Sequence, residues 1–140
     1  FGINATGLTC AGFVVSRLVD YVDPGRIVSA SVAVQVMSTV GFVALVLLDA
    51  APWTYAVAIF LAVLSIGGIM GSSAALAMAH VRDVAGTGSA LLGFSQFALG
   101  AVVSPLVGLT GDESALAPAL VMAASSLVAG TATLLSRRLG

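Results

Sequence analysis

The sequence predicts an all-α membrane protein, and its composition and the lengths of its apolar runs carry that prediction. Of the 140 residues, 59% are hydrophobic and only 8% are charged, and the mean hydropathy is +1.15. Because soluble domains carry about 25% charged residues, this composition argues against a water-facing globule. The apolar residues form long runs with short polar segments between them. A helix needs roughly 20 apolar residues to cross a bilayer, so the chain has room for five.

Turn-forming residues divide the chain into five predicted transmembrane helices. The predicted breaks are Asp23-Pro24-Gly25, Asp49 with Pro52, Ala85-Gly86-Thr87 and Gly111-Asp112-Glu113. The predicted spans are residues 1–18, 27–48, 53–79, 88–109 and 116–135.

The charged residues predict how these spans are oriented. If the spans alternate in direction, one side of the membrane receives all five basic residues and a charge of +2, and the other receives −3. Cytoplasmic loops are enriched in Lys and Arg, so we expect the basic side and the carboxyl end in the cytoplasm, and a location in the inner (plasma) membrane. The basic residues are Arg17, Arg26, Arg82, Arg137 and Arg138.

Charge and residue counts argue against several other classes of protein. The net charge of −1 offers no clustered cationic face for nucleic acid. A single cysteine, Cys10, and a single histidine cannot build a zinc or iron–sulfur site. We therefore expect no cofactor, no metal site and no enzyme.

The amino end predicts a longer protein. The sequence begins with Phe1 and has no cationic region before its first apolar run, which is unlike a signal peptide. The first span is also short. We expect the chain to be the carboxyl part of a longer protein, with helices that precede it as packing partners and the lipid bilayer around it.

Small residues recur at helical spacing in several spans. Lipid gives helices no hydrophobic reason to associate, so they pack through small residues and hydrogen bonds. For the first and third spans, tight packing is the favoured interpretation of Gly12 and of the Gly67/Gly71 pair. In the fourth span a polar cavity wall is favoured over packing. Its stripe consists of Ser89, Gly93, Gln96, Gly100 and Ser104.

Two amides and one proline inside the spans bear on function. Gln96 lies near the centre of its span and needs a partner or water there. Gln35 is also central but has apolar neighbours, which favours a hydrogen bond between helices. Pro105 removes a backbone donor and predicts a bend, which serves either packing or a pathway. No ionisable side chain lies deep in a span, so an acid that couples transport to protons is expected outside this chain.

The fourth span also carries a family resemblance. The segment AGTGSALLGFSQFALGAVVSPLVGL, residues 85–109, resembles the penultimate helix of the Bcr/CflA branch of the major facilitator superfamily. The matching features are Gly86-Thr87, Ser89-Ala90-Leu91, Gln96-Phe97 and Gly100-Ala101. The opening FGIN resembles the start of helix eight of that branch. The loop with Arg17, Asp20, Gly25 and Arg26 resembles the loop between helices eight and nine, although no basic pair follows Gly25.

The resemblance implies helices eight to twelve of a twelve-helix transporter that exports amphipathic drugs in exchange for protons. The first, third and fourth spans would then line the pathway. A small-molecule substrate would contact Asn4, Gly93, Phe94, Gln96, Phe97, Gly100 and Ser104, whereas Gly12, Gly67, Gly71 and Pro105 would pack or hinge the helices. Two alternatives stay open. One is a sugar or metabolite carrier of the same superfamily, and the other is a structural membrane subunit that transports nothing.

Overall fold

The computed structural model describes residues 2–79, 85–108 and 115–139, and these form five helices. The helices are α1 (Gly2–Leu18), α2 (Pro24–Leu47), α3 (Pro52–Ala79), α4 (Ala85–Gly108) and α5 (Leu116–Leu139). Within these ranges, four helices, α2 to α5, are long and apolar enough to cross a membrane, whereas α1 has only 17 residues. The predicted all-α membrane protein is confirmed.

α2 starts within the first predicted break. The Asp23 side chain accepts a hydrogen bond from the backbone N–H of Arg26 at 3.1 Å, and Pro24 occupies the first turn. An aspartate cap followed by proline is a favoured helix start, because proline has no N–H to leave unpaired there. The Asp-Pro-Gly group therefore begins the helix three residues before the predicted start at residue 27.

The connection between α2 and α3 lies where Asp49 and Pro52 predicted it. Asp49 adopts a left-handed backbone conformation, with φ of 48°. The N–H of Ala50 donates to the carbonyl of Leu45 at 3.0 Å, and the N–H of Asp49 donates to the carbonyl of Val46 at 3.2 Å. These two bonds form a Schellman motif, which satisfies carbonyls at the end of α2. Aspartate tolerates this conformation better than most side chains do.

Two further helix ends differ from the sequence prediction. Ala85-Gly86-Thr87, predicted as a break, lies in the first turn of α4, where the Ser89 hydroxyl donates to the Gly86 carbonyl at 2.9 Å. α5 continues past residue 135 and places Arg137 and Arg138 in its last turn, where cations favour the helix dipole. The predicted break at Gly111-Asp112-Glu113 lies outside the described residues.

α1 and α3 pack side by side and run parallel. Gly7 lies against Phe60, and Gly67 lies against Ala11. Residue numbers therefore rise together along the two helices. α1 and α3 are separated in the chain by α2, so parallel packing is the arrangement that alternating spans require.

α2 runs antiparallel to both α3 and α5. The rings of Phe42 and Tyr55 meet edge to face with centroids 5.8 Å apart, whereas Ser31 of the same helix lies against Gly68. On the α5 side, Thr39 pairs with Ser126, and Val32, which precedes Thr39, lies beside Gly130. These directions place the described arginines at one end of the bundle and Asp49 at the other. Those arginines are Arg17, Arg26, Arg137 and Arg138.

Polar pairs between helices lie at the middle of the bundle. The hydroxyls of Thr39 and Ser126 are 2.7 Å apart, and these residues are 0% and 4% exposed. The Ser65 hydroxyl of α3 hydrogen-bonds the side-chain oxygen of Gln35 in α2. The prediction that Gln35 bonds a neighbouring helix is confirmed. In lipid such bonds join helices because no water competes for the groups.

Candidate functional site

α4 differs from the other long helices in how little of it is covered. None of the residues of its apolar span from Gly86 to Pro105 is buried. The helix makes only light contacts with α3 and α5, whereas α2 packs extensively on both. Phe94 and Phe97 are 70% and 83% exposed, and their spacing of three places them on one face. This helix therefore presents aromatic surface that the described helices leave uncovered.

The predicted polar stripe lies on this open helix. Gln96, Gly100 and Ser104 are exposed, and Gly93 is half-buried. A Cβ atom added at Gly93 or Gly100 would have no described heavy atom within 4 Å beyond its own helix backbone. These two glycines are therefore not contact points between the described helices. They leave open space one turn on either side of the Gln96 amide.

Two serine hydroxyls of α4, those of Ser89 and Ser95, differ from Gln96 in their bonding. Ser89 donates to the Gly86 carbonyl and Ser95 to the Leu92 carbonyl, each at 2.9 Å. These hydroxyls are satisfied within their own helix, which is common for serine in membrane helices. The exposed amide of Gln96 is thus the polar group of the stripe with the most donors and acceptors to offer.

Asn4, predicted to contact the substrate, and Pro105, predicted to pack or hinge the helices, lie away from the centre of the stripe. Asn4 is half-buried near the start of α1, whose packing partner is α3. The stripe and Asn4 therefore lie on different helices that both meet α3. Pro105 lies inside α4, which continues to Gly108, and the proline offers no N–H to the Ala101 carbonyl.

The predicted packing glycines differ in how closely their neighbours approach. A Cβ atom at Gly67 would lie 2.8 Å from the Cβ of Ala11 and 3.2 Å from backbone atoms of Leu8 and Gly12. At Gly71 the nearest atom is a Val15 methyl at 3.9 Å, and at Gly12 the space within 4 Å is open in the described part of the chain. Of these three predicted glycines, Gly67 is therefore the one that allows α1 and α3 to approach closely.

Sequence reasoning missed several contacts of this bundle. Gly7 and Gly68 also have neighbours too close for a Cβ atom, Phe60 and Ser31 respectively. The pairing of Thr39 with Ser126 was not predicted either, although both residues lie near the middle of antiparallel helices. The signal that could have predicted this pair is that both hydroxyl residues lie at a similar depth in the membrane.

Charges lie at the ends of the described helices or in their connections. In residues 2–79, 85–108 and 115–139, no three His, Cys, Asp or Glu side chains come close enough to hold a metal ion. Arg17 lies over the Phe13 ring at 5.3 Å from its centroid, at the end of α1. Arg82 lies outside the described residues. The central part of α4 is therefore an uncharged surface with one amide and two aromatic rings.

The long apolar helices, their alternating directions and the polar pairs between them define a multi-pass α-helical membrane protein. Comparison with known sequences shows a similarity to a protein of this class. The chain is 29% identical over 109 residues, or 78% of its length, to the uncharacterized MFS-type transporter YdgK of Bacillus subtilis (strain 168). The match covers 27% of that protein. No protein-family model matches the chain, and no solved structure matches it.

Proposed function

We propose that this chain is the carboxyl part of a major facilitator superfamily transporter, and that it contributes helices eight to twelve. The similarity to an MFS-type transporter supports this proposal. Parallel α1 and α3, each antiparallel to α2, agree with successive spans of such a protein. On this proposal the protein moves a small solute by alternating access, and the bilayer and the preceding helices are its partners.

The observation that carries the transport proposal is the contrast between the two central glutamines. Gln35 is paired with Ser65 inside the bundle, whereas Gln96 is exposed at the middle of a helix with open space beside it. An amide at that depth in hydrocarbon is costly unless it meets water, a ligand or another polar group. A solute pathway next to α4 supplies such a partner.

The finer proposal is proton-coupled efflux of amphipathic drugs, as in the Bcr/CflA branch. Binding sites for such molecules are mostly apolar and have a few polar groups that orient the ligand. Phe94 and Phe97 supply aromatic surface on α4, and Gln96 supplies the polar group. The acid that couples transport to protons would lie outside the 140 residues, since their described spans hold no ionisable group in the middle.

Transport by the full-length protein in everted membrane vesicles tests both proposals. We expect energised vesicles to accumulate an amphipathic cationic dye saturably, and a protonophore to abolish the accumulation. Transport of a sugar or another metabolite without the dye would favour the alternative carrier. Vesicles that contain the folded protein and transport none of these would support a structural subunit instead.

The proposed orientation has its own prediction. With Cys10 replaced by alanine, a cysteine at Asp49 should react with an impermeant thiol reagent added to intact cells. A cysteine at Tyr21 is expected to react only after the cells are opened, because Tyr21 lies at the arginine end of the bundle. Tyr21 is exposed, so a cysteine at this position is accessible to the reagent once the cells are opened. Labelling of Tyr21→Cys but not Asp49→Cys in intact cells would reverse the orientation.

A further inference from the structure

Two adjoining cavities lie along α2 and α5, and Leu76 of α3 also lines the second of them. The first is an apolar groove of about 470 Å³, and the second is a polar cavity of about 440 Å³ at the arginine end of the bundle. Ser29, Thr133 and Arg137 line both of them. A continuous surface therefore runs from the middle of the bundle to its charged end. The apolar part is lined by Val32, Ala33, Val36, Met37, Leu127 and Leu134.

The polar cavity has an excess of positive charge. Among its described lining residues, Arg26 lies at the start of α2 and Arg137 at the end of α5, and Asp23 is the one acid. The Asp23 carboxylate already accepts the backbone N–H of Arg26 as the helix cap. The described lining of this cavity therefore has two arginines and one carboxylate, and that carboxylate has a structural partner.

The hydroxyls around this cavity are already used as donors. Ser29 donates to the Gly25 carbonyl at 2.7 Å, Thr133 to the Ala129 carbonyl at 2.8 Å, and Ser136 to the Thr133 carbonyl at 2.9 Å. The guanidinium groups are consequently the donors that the cavity offers to a ligand. Arginine donates through a planar fork that matches the oxygens of a phosphate group.

We propose that this surface binds an anionic phospholipid. Its phosphate contacts Arg26 and Arg137, and one acyl chain lies along the apolar groove. A purely apolar ligand would leave the arginines unmatched, and a free phosphate would leave the groove uncovered. A phospholipid matches both parts, and the membrane around the protein supplies it. The proposal requires a multi-pass membrane protein and is independent of whether the protein transports a solute.

The arginine half of the proposal is tested by native mass spectrometry of the full-length protein with added lipids. We expect phosphatidylglycerol to bind more tightly than phosphatidylcholine with the same acyl chains. Arg137→Gln and Arg26→Gln should each lower phosphatidylglycerol affinity about fivefold, the effect of one basic residue near a lipid surface. The matched control is Arg138→Gln, which removes the same charge from a residue that lines neither cavity and should change affinity less than twofold.

The groove half is tested by filling it. Ala33 is exposed and lines the apolar groove, so Ala33→Phe should weaken phosphatidylglycerol binding although both arginines remain. Ala44→Phe is the control, because Ala44 is exposed on the same helix and lines neither of the two cavities. Thermal unfolding of each variant checks that the protein is folded. Arg26 and Arg137 lie on different helices. If one of the two glutamine variants does not fold, the other still measures the effect of a lost arginine on lipid affinity.

Several results would overturn the proposal. Equal binding of the two lipids, or equal losses in Arg137→Gln and Arg138→Gln, would remove the specific role of the cavity arginines. Unchanged phosphatidylglycerol binding in Ala33→Phe would show that the acyl chain does not lie in the groove. Displacement of the lipid by millimolar inorganic phosphate would assign the arginines to a free anion instead.

Discussion

Replacing Gly67 by alanine is expected to destabilise the protein by about 1–3 kcal/mol, the usual cost of forcing a methyl group into a well-packed contact. The added Cβ atom would meet the Ala11 side chain at 2.8 Å and the backbone of α1 at 3.2 Å. Backbone cannot turn aside as a side chain can, so α1 must move away from α3. Denaturant titration of the full-length protein in detergent measures the loss.

The control for Gly67 lies one turn along the same helix. Gly71→Ala places a Cβ atom 3.9 Å from a Val15 methyl, which is an ordinary van der Waals distance. This variant should change the free energy of unfolding by less than about 0.5 kcal/mol, as for substitutions without a clash. Equal stability of the two variants would contradict the close approach of α1 to α3 at Gly67.

The second large effect is expected from Gln96→Leu, and it concerns substrate preference. If the amide contacts the solute, its loss should shift the resistance profile, with about a tenfold change for compounds that bond to it. A hydrogen bond lost in a desolvated site costs about 1–3 kcal/mol. Because Gln96 is exposed and a Cβ atom at Gly93 or Gly100 would meet no described atom within 4 Å beyond its own helix backbone, the leucine should leave folding intact. The measurement is a panel of drug susceptibilities at matched protein levels.

Gln35→Leu provides the matched control, because it makes the same substitution at the middle of another helix. Gln35 bonds Ser65 inside the bundle, so its loss should cost about 0.6 kcal/mol of stability, the average for such bonds in membranes. The resistance profile should stay as it is. An unchanged profile in Gln96→Leu at equal expression would make Gln96 a packing residue and remove it from the proposed pathway.

The number and order of the helices were predictable because lipid imposes a length on each apolar run. Helix ends were less predictable. Asp23-Pro24-Gly25 has the composition of a turn, yet the same residues cap and begin α2. Ala85-Gly86-Thr87 also favours a turn by composition but forms the first turn of α4. Local composition suggests that a boundary is near, whereas the capping bonds decide on which residue it falls.

The candidate site was predictable only in part, because a stripe on one helix does not say what it faces. Gly67 and Gly93 have similar surroundings in the sequence, but the first lies against another helix and the second is open. The two glutamines differ in the same way, because Gln35 contacts another helix and Gln96 is exposed. Pairing also escaped sequence reasoning where it joins distant parts of the chain, as in Thr39 and Ser126. Such contacts depend on the directions and depths of packed helices.

The tight connection at Asp49 has a consequence for how the protein enters the membrane. The Schellman motif ends α2 at Leu47, and α3 begins at Pro52, so only a few residues separate the two spans. Gln35 and Ser65 meet at the same depth on either side of this turn. We expect the two helices to leave the insertion machinery as one hairpin, since each then shields the other's polar group from lipid during biogenesis. α2 alone would enter lipid with the Gln35 amide unpaired, whereas the hairpin enters lipid with Gln35 already paired to Ser65.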